Sequence, residues 1–143
     1  IELGARTSRA LRDWPKTDEK TYPQWSGIEY YERAERQWPQ RLEEQNPFAV
    51  DINVLRIGEA AICANPAELF VEFGLQIKSN SPARVTSISQ LTNGYCGYVP
   101  TEKAFSRGGY ETWCAPSSQL AFDAGDRIVT VTQELLNGIF EAN

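Results

Sequence analysis

Between residues 48 and 91 the hydrophobic pattern changes period twice, and that change limits the fold more than any other feature of the chain. Residues 48–57 alternate loosely between apolar and polar, as a half-buried strand does. Gly58-Glu59 marks a turn, and Ala60 to Ala64 is a short, wholly apolar run that reads as a second, buried strand. Asn65-Pro66 follows, an asparagine cap and a proline at the first helical position, which predicts a helix from there to about Lys78. Phe70, Phe73 and Ile77 share its inward side, while Glu68, Glu72 and Gln76 form a row on another. Ser79-Asn80-Ser81-Pro82 ends the helix, and residues 84–91 return to strand. The resulting β-β-α-β order makes the chain α/β: a mixed sheet with flanking helices.

On either side the sequence is simpler. Asn46-Pro47 separates an arm and N-terminal helix, residues 1–45, from the α/β part, residues 46–143. The arm, residues 1–27, is broken by Trp14-Pro15, Tyr22-Pro23 and Trp25-Ser26-Gly27, and its rings are expected to pack on something. Ser26 and Glu29 form a capping-box pattern, after which Ile28, Tyr31, Ala34 and Trp38 recur at helical spacing. Tyr30, Tyr31 and Trp38 are read as packing, and Glu29 to Arg36 as a solvated helix face. Residues 101–105 suggest one helical turn. Asp123 and Asp126 cap a final helix whose apolar stripe is Ile128, Val131, Leu135, Leu136, Ile139 and Phe140.

Composition removes several function classes. The net charge of −5 offers no basic face for nucleic acid or anionic lipid. The apolar runs are far shorter than the 18 or so residues that span a bilayer, so a membrane-spanning chain is not expected. Nor is there a Gly-x-Gly-x-x-Gly, a phosphate loop or a Gly-x-Ser-x-Gly elbow. With no histidine anywhere, a mechanism needing imidazole cannot be completed by this chain alone. A start at Ile1 and no methionine throughout suggest a processed chain or part of something longer. Cys63 reads as a small buried hydrophobe, and Cys96 and Cys114 lie in loop-like sequence where a disulfide is one option.

Chemistry concentrates after the strand that ends near Leu91. Asn93-Gly94-Tyr95-Cys96-Gly97-Tyr98-Val99-Pro100-Thr101, then Gly109-Tyr110-Glu111, places three phenols and a carboxylate in a glycine-rich loop region. Loops at strand ends are where α/β proteins commonly assemble sites, although a turn with aromatics beneath it has the same composition. Tyr95 is read as core or as a support to that site. Glu68, in the first turn of its expected helix, is favoured there by the helix dipole whether or not it has a function.

The order Asn93-x-Tyr95-x-x-Tyr98-Val99-x-Thr101, with Tyr110-Glu111 eleven residues after Val99, resembles the neutral/alkaline non-lysosomal ceramidases. Upstream, Arg56 to Glu68 resembles that family's strand-turn-strand ending in Pro-Gly-Glu. Together the matches cover about residues 50–143. The resemblance implies a larger two-layer or multilayer hydrolase domain, of which this would be the C-terminal part. It implies hydrolysis of an N-acyl, ceramide-like amide bond by metal-activated water. Glu68 and Tyr98 match zinc ligands, and Tyr110 matches a tyrosine that supports the reacting amide. One zinc ion would be completed by histidines from an upstream segment or chain of the same precursor, and the compartment would be secreted or periplasmic.

Three departures mark a distant branch: Pro66-Ala67-Glu68 replaces Pro-Gly-Glu, Val99-Pro100-Thr101 replaces Val-Thr-Thr, and Gly108-Gly109-Tyr110-Glu111 replaces Gln-x-Tyr-Glu. They bear on ceramide as substrate more than on the fold. The alternative from a different class is a non-catalytic structural or interaction domain that retains the fold without the metal.

Overall fold

The computed structural model describes residues 1–4 and 47–141. The expected helix after Gly27, its aromatic stripe and the arm beyond Gly4, with Trp14, Tyr22 and Trp25, lie outside the described residues.

The predicted α/β architecture is present. Strand β1 (Glu2–Leu3) pairs antiparallel with β2 (Phe48–Ala49), and β3 (Asn53–Ile57) pairs antiparallel with β4 (Ala60–Ala64) through the turn at Gly58-Glu59. A further strand, β5 (Ala67–Leu69), precedes helix α1 (Val71–Asn80), which crosses over to β6 (Val85–Ser89), parallel to β4. β7 (Gly97–Val99) then pairs parallel with β5. Helix α2 (Glu102–Arg107), a 3-10 turn at Tyr110–Thr112 and helix α3 (Ala124–Glu141) complete the order.

β4–β5 and β6–β7 are two long parallel lanes, each interrupted in the middle. Backbone bonds bridge the interruption: the Asn65 amide donates to Ser89 O at 3.0 Å, Thr92 to Asn65 O at 3.0 Å, and Cys96 to Pro66 O at 3.1 Å. On one face of the three-stranded part, Val54, Cys63 and Ile88 lie side by side in register, beneath α1 and α3. Phe73 and Ile77 from α1 and Ile128, Val129 and Leu136 from α3 fill that core. Leu3 joins it with no exposed surface, a contribution the irregular N-terminal sequence did not signal.

Three local expectations need correction. Asn65-Pro66 does not start a helix. The Asn65 side chain accepts from the Ala67 amide at 3.0 Å, closing a turn, and the chain re-enters the sheet as β5. Ala67 and Leu69 are buried on either side of Glu68, and pairing with β7 outweighs the local cap signal. The helix begins at Val71, so Glu68 sits on a strand and Glu72 is the first-turn acid. The strand expected over residues 48–57 is two strands in two sheets, because β2 turns away to pair with β1.

The buried face of α3 runs through Gly125, Ile128, Val129, Thr132 and Leu136, whereas Leu135 is exposed. Thr132 fits the apolar side because its hydroxyl donates to Ile128 O at 2.7 Å, so no polar atom is left unsatisfied. Finally, Cys63, Cys96 and Cys114 are all buried and none is in a disulfide. Burial pushes the Cys63 and Cys96 thiols up to about 11.

Candidate functional site

The second half of the parallel lanes carries the site. In the β5/β7 ladder Ala67 faces Gly97, Glu68 faces Tyr98, and Leu69 faces Val99. Because side chains alternate along a strand, burying Ala67, Leu69, Gly97 and Val99 on one side turns Glu68 and Tyr98 together to the other. Their convergence follows from register and requires no long-range adjustment.

Tyr98 is held in line from its far edge. Its amide donates to Ser117 O at 2.7 Å. That approach demands glycine beforehand: Gly97 has φ +83, and a Cβ there would lie 2.5 Å from Ser117 O. Beyond β7 the Thr101 hydroxyl caps α2, accepting from the Ala104 amide at 3.2 Å. The chain then returns through Gly108-Gly109 to the 3-10 turn that carries Tyr110.

Tyr110 stands against Tyr98 edge to face, with ring centroids 5.6 Å apart and planes at 85°. Their hydroxyls are 3.5 Å apart. The Glu68 carboxylate lies close enough to Tyr98 to act on its phenol electrostatically. The Tyr110 hydroxyl first, then desolvation, then Glu68 hold the Tyr98 phenol well above the ordinary phenol range. Metal-free, this is a protonated phenol; a divalent cation beside it would reverse the direction of the shift.

Tyr95 belongs to the same cluster. It is 58% exposed, so it is no core residue, and its hydroxyl donates to Glu68 Oε1 at 3.1 Å. Tyr95 was legible as part of a tyrosine-rich loop, but not its aim, because the turn that directs it has no simple sequence signature. Leu91 and Asn93 both adopt positive φ, 53° and 59°. Gln90 fills the gap in the lane with its side-chain amide, accepting from the Leu69 amide at 2.8 Å and donating to Leu69 O at 2.9 Å. Here a glutamine side chain substitutes for a strand residue, and sequence periodicity cannot display that.

The structure thus brings Glu68, Tyr98 and Tyr110 to one surface and adds Tyr95. All donor atoms are oxygens. Among the described residues no group of three or more His, Cys, Asp or Glu side chains could hold a metal ion. Glu68 and the phenols present a carboxylate with adjacent phenol oxygens, a donor set that could contribute to a zinc site but that lacks the nitrogen donors zinc favours. No described helix is long and apolar enough to cross a membrane.

No family model and no curated protein matches the sequence. Among solved structures, the chain is similar to a neutral ceramidase from Pseudomonas aeruginosa, with a TM-score of 0.56 and 21% identity over 63% of this chain. It is similar, with the same values, to a ceramidase complexed with C2. In both cases the match spans only 15% of the ceramidase chain. The resemblance read from the two motifs therefore has a counterpart in three dimensions, and what that likeness shows is a shared fold.

Proposed function

We propose that this chain is part of a zinc-dependent amidohydrolase of ceramidase type, acting on the N-acyl amide bond of a lipid-like substrate. The observation that carries the reading is the register pairing of Glu68 with Tyr98 at the centre of two short parallel strands, with the Tyr110 hydroxyl 3.5 Å from that of Tyr98. Glu68 and Tyr98 would hold the ion, and histidines from an upstream segment or chain of the same precursor would complete its ligands. When bound, the ion supplies Lewis acidity towards the amide carbonyl and lowers the pKa of coordinated water. Tyr98 would hold the ion through its phenol oxygen, its proton passing to solvent. The Tyr110 hydroxyl would donate a hydrogen bond to the carbonyl oxygen as that oxygen gains charge. A secreted or periplasmic location accords with this reading.

One face of the sheet accords with a further covering layer. Its face opposite α1 and α3 carries Leu55, Ile57, Ile62 and Val85, which are 57%, 60%, 36% and 62% exposed. Leu55 pairs with Ile62, and Ile57 with Ala60, which faces Val85. Such a contiguous apolar patch favours being covered by other polypeptide. An obligate contact of this kind buries more than about 2,000 Å² in total.

The test is deacylation of an N-acyl sphingosine by the protein assembled with its histidine-bearing segment. Glu68→Gln and Tyr110→Phe are each expected to lower kcat/KM by about 10²-fold or more, the scale seen when a group stabilising the transition state is removed. Full activity in both variants would reject the reading. The second reading is a non-catalytic structural or interaction domain. It is favoured by the interactions already made within the cluster, in which Tyr95 donates to Glu68 and the Tyr98 and Tyr110 hydroxyls meet. A cooperative, monomeric unfolding transition without dye-accessible apolar surface would favour it.

A further inference from the structure

We propose that Tyr95 is a positioning residue for Glu68: its hydroxyl, donating to Oε1 at 3.1 Å, fixes the carboxylate in one rotamer above the β5/β7 ladder. The inference deepens the metal-site reading and its catalytic meaning rests on that reading, but the geometric claim can be tested without metal.

Three observations on different segments carry it. First, Glu68 sits on a three-residue strand whose neighbours Ala67 and Leu69 point into the core, so its backbone is fixed while its half-buried side chain has solvent on one side. A glutamate in that position keeps several rotamers unless a specific partner selects one. Second, the partner is supplied across the lane interruption by a turn built around two residues at positive φ, Leu91 and Asn93. Leucine is rarely found there, since only glycine adopts that conformation without steric cost. Leu91 is also 54% exposed, so core packing does not hold it in place. Third, the turn is tied to the strand that bears Glu68. The Leu91 amide donates to Ala67 O at 3.3 Å, the Gln90 side chain brackets Leu69, and the Cys96 amide donates to Pro66 O at 3.1 Å. These bonds attach residues 90–96 to both sides of Glu68, so the Tyr95 hydroxyl and the carboxylate are referenced to the same frame. The anchor points of this turn and the target of the Tyr95 hydroxyl thus lie on one short stretch of chain.

The consequence is a carboxylate ordered before any ligand arrives. Partners of this kind, which orient a ligand without touching the metal, typically change metal affinity or activity by 10–100-fold when removed.

The experiment measures the Glu68 χ1 rotamer by three-bond carbon and nitrogen couplings to its Cγ, in the metal-free, isotope-labelled 143-residue chain. The variants are Tyr95→Phe, Tyr95→Leu and, as a control on the neighbouring phenol pair, Tyr110→Phe. One dominant rotamer is expected in the parent chain and in Tyr110→Phe. Couplings averaged over rotamers are expected in Tyr95→Phe, with the thermal midpoint unchanged, because the lost hydroxyl is exposed. A single rotamer retained in Tyr95→Phe overturns the proposal. Retention in Tyr95→Phe with loss in Tyr95→Leu also overturns it, assigning the ordering to the ring instead of the hydroxyl. In the assembled hydrolase, Tyr95→Phe is expected to weaken zinc binding by 10–100-fold. If that protein binds no zinc while the rotamer result holds, the metal reading fails and the positioning role of Tyr95 stands.

Discussion

Gly97 shows how one residue governs the site without belonging to it. Its positive φ and the 2.5 Å approach that a Cβ would make to Ser117 O leave no room for a side chain directly before Tyr98. Gly97→Ala is therefore expected to destabilise the chain by about 2 kcal/mol, since it adds both backbone strain and a clash with main-chain atoms. Chemical denaturation measures this, and the Tyr98–Tyr110 contact should loosen with it. The cysteines give a different prediction. Burial raises Cys63 and Cys96 from 9.0 to about 11 in the folded chain. A thiol whose folded pKa lies above its unfolded value favours folding while it remains neutral. That contribution is complete below about pH 9 and is lost as the pH rises towards 11. Stability should thus fall over this alkaline window and fall less in a Cys63→Ala variant, as read by denaturation at a series of pH values. Native Cys63 and Cys96 should resist a thiol reagent at pH 8 and react once the chain unfolds.

At the level of elements, helix packing depends on close approach. A Cβ on Gly125 would fall within the Phe73 ring, so Gly125→Ala forces α1 and α3 apart at a cost of about 1–3 kcal/mol, measurable by thermal unfolding. The far end of α3 is fastened by Arg56 on β3, which donates to Ile139 O at 2.8 Å and stacks over Phe140 with its guanidinium carbon 4.3 Å from the ring centroid. Arg56→Ala should reduce hydrogen-exchange protection in the last turn of α3 and cost about 1–2 kcal/mol. These elements also show where sequence reading succeeds. Residues 60–64 were legible as a strand because a short apolar run after Gly58-Glu59 has few alternatives. Asn65-Pro66 misled because asparagine closes a turn by the same side-chain bond that caps a helix, and only the β7 partner, thirty residues on, decides between them. The stripe on α3 was shifted for a related reason: Thr132 counts as polar in a pattern but is buried once Ile128 O accepts its proton. For the site, Glu68 and Tyr98 were legible only as positions in the two motifs, since Glu68 was read on a helix and Tyr98 in a loop, while the Gln90 bracket and the Leu91 turn, which aim Tyr95, depend on tertiary contacts.

For the whole molecule, one covered and one open sheet face set the account. Replacing Leu55 and Ile57, exposed by 57% and 60%, with lysine should reduce apolar dye binding and self-association while changing stability by about 0.5 kcal/mol or less. The same substitutions should weaken assembly with a covering layer, as followed by sedimentation. An open face and an oxygen-only donor set both agree with the proposed reading, in which further polypeptide would bring the cover and the nitrogen ligands. The most direct check is calorimetric titration of zinc into the 143-residue chain and its Glu68→Ala variant. Two oxygen ligands without imidazole make a weak site, so the expected result is an affinity poorer than micromolar in the parent chain and none in the variant. A submicromolar site that survives Glu68→Ala would contradict the assignment of Glu68 and Tyr98 as the chain's share of the metal centre.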